Sequence, residues 1–283
     1  MANTTTTTLE ELLPSIVAEA MFQAQERSVM RNLVKNYAVS VGSGTTVTVP
    51  IWTNTTAAGL TEGTDMTATT LETTSAVLTV AEVGVMAAIT DLALKTSASN
   101  VISDAGRVMG AAVAKKMDQD LIGLFDAFAT SLGSATTNMT AAHIFQAIAM
   151  LRKNGVSGDD IACVVHPFIA YDMKSQLTSA FVGNAGDLSN EALRSGYVGT
   201  VGGVNVFESS HITNASGVSK GAVFHKDALG LAMLDDISIE TQRDASLRGT
   251  ELVCTANYGV GELTDLYGVE LHMKSSNAAL IAI

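Results

Sequence analysis

Residues 45–52, Thr-Thr-Val-Thr-Val-Pro-Ile-Trp, and residues 75–90, Ser-Ala-Val-Leu-Thr-Val-Ala-Glu-Val-Gly-Val-Met-Ala-Ala-Ile-Thr, are the stretches on which the fold turns. Val47, Val49 and Ile51 fall on one side of the first run, and Leu78, Val80, Val83 and Val85 mark the second, a pattern of half-buried strands. Between them lies a Thr-, Ala- and Gly-rich tip, residues 53–74, with Gly59, Gly63 and the acidic Glu62, Asp65 and Glu72. No Lys or Arg occurs from residue 45 to residue 90. The two runs predict a hairpin arm. Its threonines read as a solvated β surface rather than a ligand site. A two-stranded ribbon is marginally stable on its own in water, and nothing adjacent in sequence could bury it fully. The arm therefore needs a neighbouring surface, and another copy of the chain is the expected one.

Immediately after the hairpin, Val101, Ala105, Val108, Met109, Ala112, Val113, Met117, Leu121, Leu124, Phe125 and Phe128 form a continuous stripe at helical spacing. A helix over 101–128 would be about 42 Å long at 1.5 Å per residue. Ser97, Ser99 or Asn100 could cap its start, and Gly133 follows its end. Lys115, Lys116, Asp118 and Asp120 interrupt the stripe and read as a solvated face. Before the hairpin, Leu9, Leu12, Leu13, Ile16, Val17, Ala20 and Met21 describe an amphipathic N-terminal arm with Pro14 in its first turn. The turn Gly42-Ser43-Gly44 joins that arm to the hairpin.

From Thr140, a plausible cap, Ile144, Ala147, Ile148 and Leu151 share one helix face that ends at Asn154-Gly155. Ile161–Val165 reads as a buried strand, Pro167 opens a helix toward Leu177, and a Gly-punctuated segment, 183–203, leads to a strand over Val204–Glu208. Further strands are expected at 222–225, 237–242, 251–256 and 269–273. Alternating helix and strand over this middle stretch predicts a small sheet with covering helices, distinct from the long helix. The fold class is α+β.

The chain has 283 residues, 47% of them hydrophobic, and a mean hydropathy of +0.29, which excludes wholesale disorder. Its net charge of −12, with only 16 Lys plus Arg, argues against sequence-independent binding of nucleic acid, which needs clustered basic groups. Such a charge is compatible with a wall facing packaged DNA, since a container should repel its contents. The polar, Thr-rich opening lacks the features of a signal peptide, and the apolar ending, 278–283, is far too short to span a bilayer. No membrane contact is expected. Cys163 and Cys254 sit in apolar runs and read as buried free thiols.

Catalytic and cofactor motifs are missing. The histidines at 143, 166, 211, 225 and 272 are scattered and read as helix-end or strand-face residues, with no spacing suited to a metal. Gly196, Gly199, Gly202 and Gly203 have the wrong spacing for a dinucleotide loop and precede a strand, so they read as tight turns. Phosphate-binding and nucleophile-elbow motifs are absent. The pairs Asp159-Asp160 and Asp235-Asp236 read as turn or capping residues rather than acid/base pairs. No enzyme activity and no cofactor are expected.

The order of arm helix, hairpin, long helix, compact α/β insertion and returning strands resembles the major capsid proteins of tailed bacteriophages with the HK97-type fold. Val47-Thr48-Val49-Pro50 with Leu60-Thr61-Glu62-Gly63 is similar to that family's hairpin and tip, and residues 83–90 with Asp91-Leu92-Ala93-Leu94 to its return toward the spine helix. Residues 196–209 resemble the turn and strand of the family's axial domain. Residues 222–228, followed by the strand at 237–241, resemble the passage back to its peripheral domain. The resemblance implies an N-terminal arm (1–44), an extended hairpin loop (45–90), a peripheral domain with the spine helix (91–139), an axial domain (140–232) and a return to the peripheral domain (233–283). It implies a structural protein whose copies form hexamers and pentamers closing an icosahedral shell around double-stranded DNA, assembled in the host bacterial cytoplasm and resident in the virion.

Two departures qualify it. The hairpin has no lysine, so the covalent crosslink of some family members is not available and non-covalent contacts or a separate cementing protein must hold the shell. About 40 residues precede the hairpin, leaving no room for a cleaved scaffolding domain, so a separate scaffolding protein and a portal are the expected partners. Candidate inter-subunit contacts are Val47, Val49, Trp52, Glu62, Leu78 and Val80 on the hairpin and Leu12 and Ile16 on the N-terminal arm. Trp52, the sole tryptophan, is either an interface anchor, the preferred reading, or the end of a strand packed on its own subunit. The alternatives are an encapsulin-like shell enclosing cargo protein and, from another class, a hydrolase using Asp159 or Asp235 with a nearby histidine.

Overall fold

The computed structural model describes residues 28–40, 42, 44–63, 65, 66, 68–97, 101–156, 160–181 and 200–275, without the side chains of 174, 176–181 and 200. The chain begins with a single helical turn, α1 (Met30–Leu33), and a short strand, β1 (Lys35–Ala38). β2 (Thr46–Trp52), β3 (Thr73–Thr79) and β4 (Ala81–Thr90) follow, then α2 (Asp91–Thr96) and the long helix α3 (Val101–Gly123), which ends in a 3₁₀ turn over Leu124–Ala127. The middle of the chain holds β5 (Ser131–Asn138), α4 (Ala141–Lys153), β6 (Ile161–Val165), α5 (Pro167–Phe181), β7 (Thr200–Val201), β8 (Val204–Glu208), β9 (Asn214–Ala215) and β10 (Val218–His225). It closes with β11 (Leu229–Asp244), β12 (Gly249–Glu262) and β13 (Gly268–Lys274).

Among the described residues the strands form three sheets: β1-β11-β12-β4, the ribbon β2-β3, and β5-β13-β10-β6-β8-β7 with β9 on β10. The run at 75–90 is thus two strands rather than one. β3 pairs β2 antiparallel, with Val47 opposite Leu78, whereas β4 leaves the ribbon and pairs β12, with Val85 opposite Cys254. The physical reason is burial: β4 lays Val83 and Ala87, with Leu252, Cys254 and Ala256 of β12, against the long helix.

α3 buries Val101, Met109, Val113, Met117 and Leu121 on this four-stranded sheet, and its 23 helical residues span about 34 Å. Val108, expected within the apolar stripe, is exposed. The helix is shorter than expected because its last turn tightens to 3₁₀, driving Phe125 and Phe128 into the core beside Phe224. Ser97 does not cap α3. It terminates α2 by donating its N–H to the Ala93 carbonyl, while Ser99 and Asn100 lie outside the described residues. Asp118, expected on a solvated face, is fully buried.

β6 explains how a five-residue apolar run can be wholly buried. Ala162 and Val164 face the core shared with α3, whereas Ile161, Cys163 and Val165 face a second core covered by α4 and α5. α4 forms as the sequence predicts: the Thr140 side chain and His143 make a reciprocal capping box, and Gly155, at φ +84°, ends it. β5, which joins β13 in parallel, and β13 itself complete the seven-stranded sheet, so that sheet draws strands from outside residues 140–232. Gly202 and Gly203, both at positive φ, make the two-residue turn between β7 and β8, as read from sequence. Gly196 and Gly199, the N-terminal arm over 9–27 and Asp159 lie outside the described residues. Cys163 and Cys254 are buried and free, and burial pushes the Cys163 thiol up to about 12. No helix among the described residues is long and apolar enough to cross a membrane.

Candidate assembly surface

The ribbon β2-β3 has one face turned to its own subunit and one turned away. Alternation along β2 puts Val47, Val49 and Ile51 on the half-buried side and leaves Thr46, Thr48, Pro50 and Trp52 exposed. Across the ribbon, Leu78 and Ala76 join the half-buried side and Val77 the exposed one. The base of the inner face forms a small core of its own: Leu78, Val80, Ala232 and Leu263 are buried, with Tyr37, Val39, Val47, Val49, Ala76 and Leu234 packed around them. These partners come from β1, β11 and the residue after β12, the last two more than 150 positions away, so no local pattern marks them.

Glycines make the seat. Leu78 lies between Gly230 and Gly261, with its Cδ1 3.0 Å from where a Cβ on Gly230 would stand and its Cδ2 2.6 Å from the same point on Gly261. A Cβ on Gly259 would fall 2.2 Å from the Thr79 carbonyl oxygen. Bare backbone on β11 and β12 is therefore what lets the ribbon lie this close. The Val80 N–H donates to the Thr45 carbonyl (2.8 Å), and at the far end the Thr53 N–H donates to the Glu72 carbonyl (3.1 Å), closing the ribbon at both limits.

Beyond the base the arm is uncovered. Trp52 is 67% exposed, and Leu60, Met66, Leu71 and Val77 each expose more than half of their surface. Glu62, Asp65 and Glu72 are exposed beside them, and no basic residue offsets them within the arm. Pro50, which has no N–H, is tolerated in an outer ribbon strand. Clustered exposed apolar side chains on one projection are unusual, and they define the candidate surface.

The candidate contacts thus divide. Leu78 and Val80 are buried against their own subunit and have no surface to offer a neighbour, because the β11-β12 glycine seat covers them. Val47 and Val49 are half-buried in the same base, while Trp52 and Glu62 stand free. Leu12 and Ile16 lie outside the described residues. The exposed apolar residues of the tip, Leu60, Met66 and Leu71, were missed. Their signal was there, as large hydrophobes in a Thr-rich loop, but no periodicity marked them.

The acidic pair Asp235-Asp236 makes structural bonds. Asp235 accepts a hydrogen bond from Asn257 (2.8 Å), and Asp236 forms an ion pair with Arg31 (3.0 Å), both at an irregular pairing of β11 with β12. The Arg31 hydrogen bond holds the Asp236 carboxyl below its usual range. Among the described residues no cluster of His, Cys, Asp and Glu could hold a metal.

Comparison with known proteins agrees with the architecture. A family model described as phage capsid protein matches residues 72–269. No curated protein sequence matches significantly. Among solved structures, the capsid of cyanophage P-SCSP1u is 20% identical, with 95% of each chain covered and a TM-score of 0.74. A structure from Mycobacterium phage Che8 is 17% identical, covering 92% of this chain and 96% of its own, at a TM-score of 0.76. The head structure of Helicobacter pylori bacteriophage KHP40 is 13% identical, covering 98% and 99%, at 0.74. With a long helix packed on a four-stranded sheet, a second α/β sheet and a projecting ribbon, the chain belongs to the phage capsid protein family and has the HK97-like fold of a shell-forming major capsid protein.

Proposed function

We propose that the arm is the part of the subunit that reaches a neighbour, and that copies joined this way form hexamers and pentamers closing an icosahedral shell around double-stranded DNA. One observation carries this reading: the arm's base is anchored on its own subunit while Trp52, Leu60, Met66, Leu71 and Val77 beyond it remain uncovered. Surface of this kind becomes stable once a second copy removes it from water, and ring closure follows from heterologous contacts of one patch with a different patch on the next subunit. With no lysine in the arm, cohesion is non-covalent or comes from a separate cementing protein.

In the same reading the seven-stranded sheet with α4 and α5, centred on residues 140–232, forms the axial domain around the ring centre. The four-stranded sheet with α3 forms the peripheral domain. The net charge of −12 suits a wall that repels packaged DNA instead of adsorbing it. A separate scaffolding protein and a portal complete the assembly, which takes place in the bacterial cytoplasm and yields a virion component without enzymatic activity. Negative-stain electron microscopy of the purified chain over a range of salt concentrations tests the proposal. Closed shells, or hexameric and pentameric rings, are expected. A monomer at every salt concentration, with the tip residues 53–72 already protected from hydrogen exchange, would overturn it.

A further inference from the structure

Asp118 is a carboxylate in the middle of α3 with no exposed surface, a placement that costs several kcal/mol unless hydrogen bonds offset it. Its partners come from the chain's earliest described residues. Oδ1 accepts from the Ser28 hydroxyl at 2.6 Å, and Oδ2 accepts from the Val29 N–H at 3.0 Å, two bonds spanning about ninety positions of sequence. On the other side, His211 Nδ1 lies 3.5 Å from Oδ2, and its ring is almost as deeply buried. His211 belongs to the loop after β8, in the seven-stranded sheet. One side chain on the long helix therefore meets both the root of the N-terminal segment and the second sheet. The apolar residues around it neither require nor explain a charge there: Met30, the next residue along, is already wholly buried by packing in the main core.

We propose that Asp118 is a positioning residue for assembly: it latches Ser28 and Val29 to the middle of α3, and so fixes the point at which these two residues join the subunit core and the direction from which they enter it. This rests on the reading of the chain as a shell subunit, and adds the device that fixes Ser28 and Val29 on its long helix. A hydrogen bond to the orphaned N–H of Val29 and a second to the neighbouring hydroxyl clamp two consecutive residues, which defines a direction as well as a point of attachment. Charge-assisted bonds to a buried carboxylate are about twice as strong as neutral ones, so two of them make a firm latch. His211 stands where it limits the carboxylate's movement toward the second sheet.

The sequence supplies an assay, because the bond between Arg27 and Ser28 is a trypsin site that can be cut only when Ser28 is released. Cleavage after Arg27 should be slow in the native, unassembled full chain. Ser28→Ala, which removes one charge-assisted bond without touching the core, should speed it about tenfold, the ratio that such a bond corresponds to. Ser28→Thr, which keeps the hydroxyl, should restore slow cleavage. Asp118→Asn should speed it further, and because that variant can also weaken the fold, the Ser28 pair is the decisive comparison. Assembly followed by light scattering should slow for Ser28→Ala and recover for Ser28→Thr, while the unfolding midpoint falls by no more than the loss of that one bond. Equal cleavage rates for the native chain, Ser28→Ala and Ser28→Thr would overturn the latch. Failure of the native chain itself to assemble would instead count against the shell reading, so the two outcomes are separable.

Discussion

Replacing Leu78 with Ala separates the part of the arm that belongs to the subunit from the part that reaches a neighbour. The side chain is fully buried, and the substitution deletes three carbons. At about 0.8 kcal/mol per buried carbon the transfer loss is about 2.4 kcal/mol. A cavity adds to this, because the walls are the backbones of Gly230 and Gly261 in paired strands, which cannot close in. The total should come to about 3–4 kcal/mol, inside the range for buried leucines. That is a large share of a domain's stability, typically about 5–15 kcal/mol, yet the chain should remain folded in buffer. Urea unfolding of unassembled subunits, followed by circular dichroism, reads the effect as a lowered midpoint. A loss under about 1 kcal/mol, combined with failure to assemble, would refute the reasoning, since it would place Leu78 against a neighbour.

Trp52→Ala should do the reverse: it leaves the urea midpoint of the free subunit within about 0.5 kcal/mol, as exposed sites do, but abolishes or strongly slows particle formation seen by sedimentation. Gly259→Ala should destabilise the free subunit and impair assembly together, because its Cβ would strike the Thr79 carbonyl and lift the ribbon from its seat; a neutral effect in both assays would mean the ribbon does not lie there. Glu262 carries a pH prediction. Burial first, then the hydrogen bond and charge of Asp265, push its carboxyl from an ordinary 4.5 up to about 7. The folded state therefore holds a proton that the unfolded chain has released, so this group's contribution is present below 4.5 and is lost as pH rises to about 7. Glu262→Gln should flatten that slope in unfolding measurements over the same window, and an unchanged slope would assign it elsewhere.

Much of the fold was legible because local signals and tertiary contacts agreed. The Thr140 cap, the Ile144, Ala147, Ile148 and Leu151 face, and the apolar run at 161–165 each carry one period and one boundary, and each formed as read. The division of 75–90 into β3 and β4 was also written in the sequence. Leu78 and Val80 occupy even positions and Val83, Ala87 and Ile89 odd ones, so the inward phase flips where the strand leaves the ribbon for the sheet, although Val85, also odd, is exposed. β5 was not legible, since Ser-Leu-Gly-Ser-Ala-Thr-Thr-Asn has no alternation and is held by parallel pairing with β13.

Asp118 was misread because charge outweighed position. It stands three residues before Leu121 and four before Ile122, on the buried flank of the helix, and only its distant partners make that place tolerable. At the candidate surface, Trp52 and Glu62 could be read as exposed arm residues from alternation and tip composition. The seat beneath Leu78 could not, because it depends on glycines some 150 to 180 positions away in sequence.

If the arm works as proposed, its uncovered half is completed by a second copy. Cryo-electron microscopy of particles assembled from this chain tests it most directly. Residues 52–72 should run across an adjacent subunit with Trp52 and the tip hydrophobes buried there, and Leu78 should remain seated on Gly230 and Gly261 of its own chain. An arm that stays over its own subunit in the particle, with Trp52 still in solvent, would contradict it.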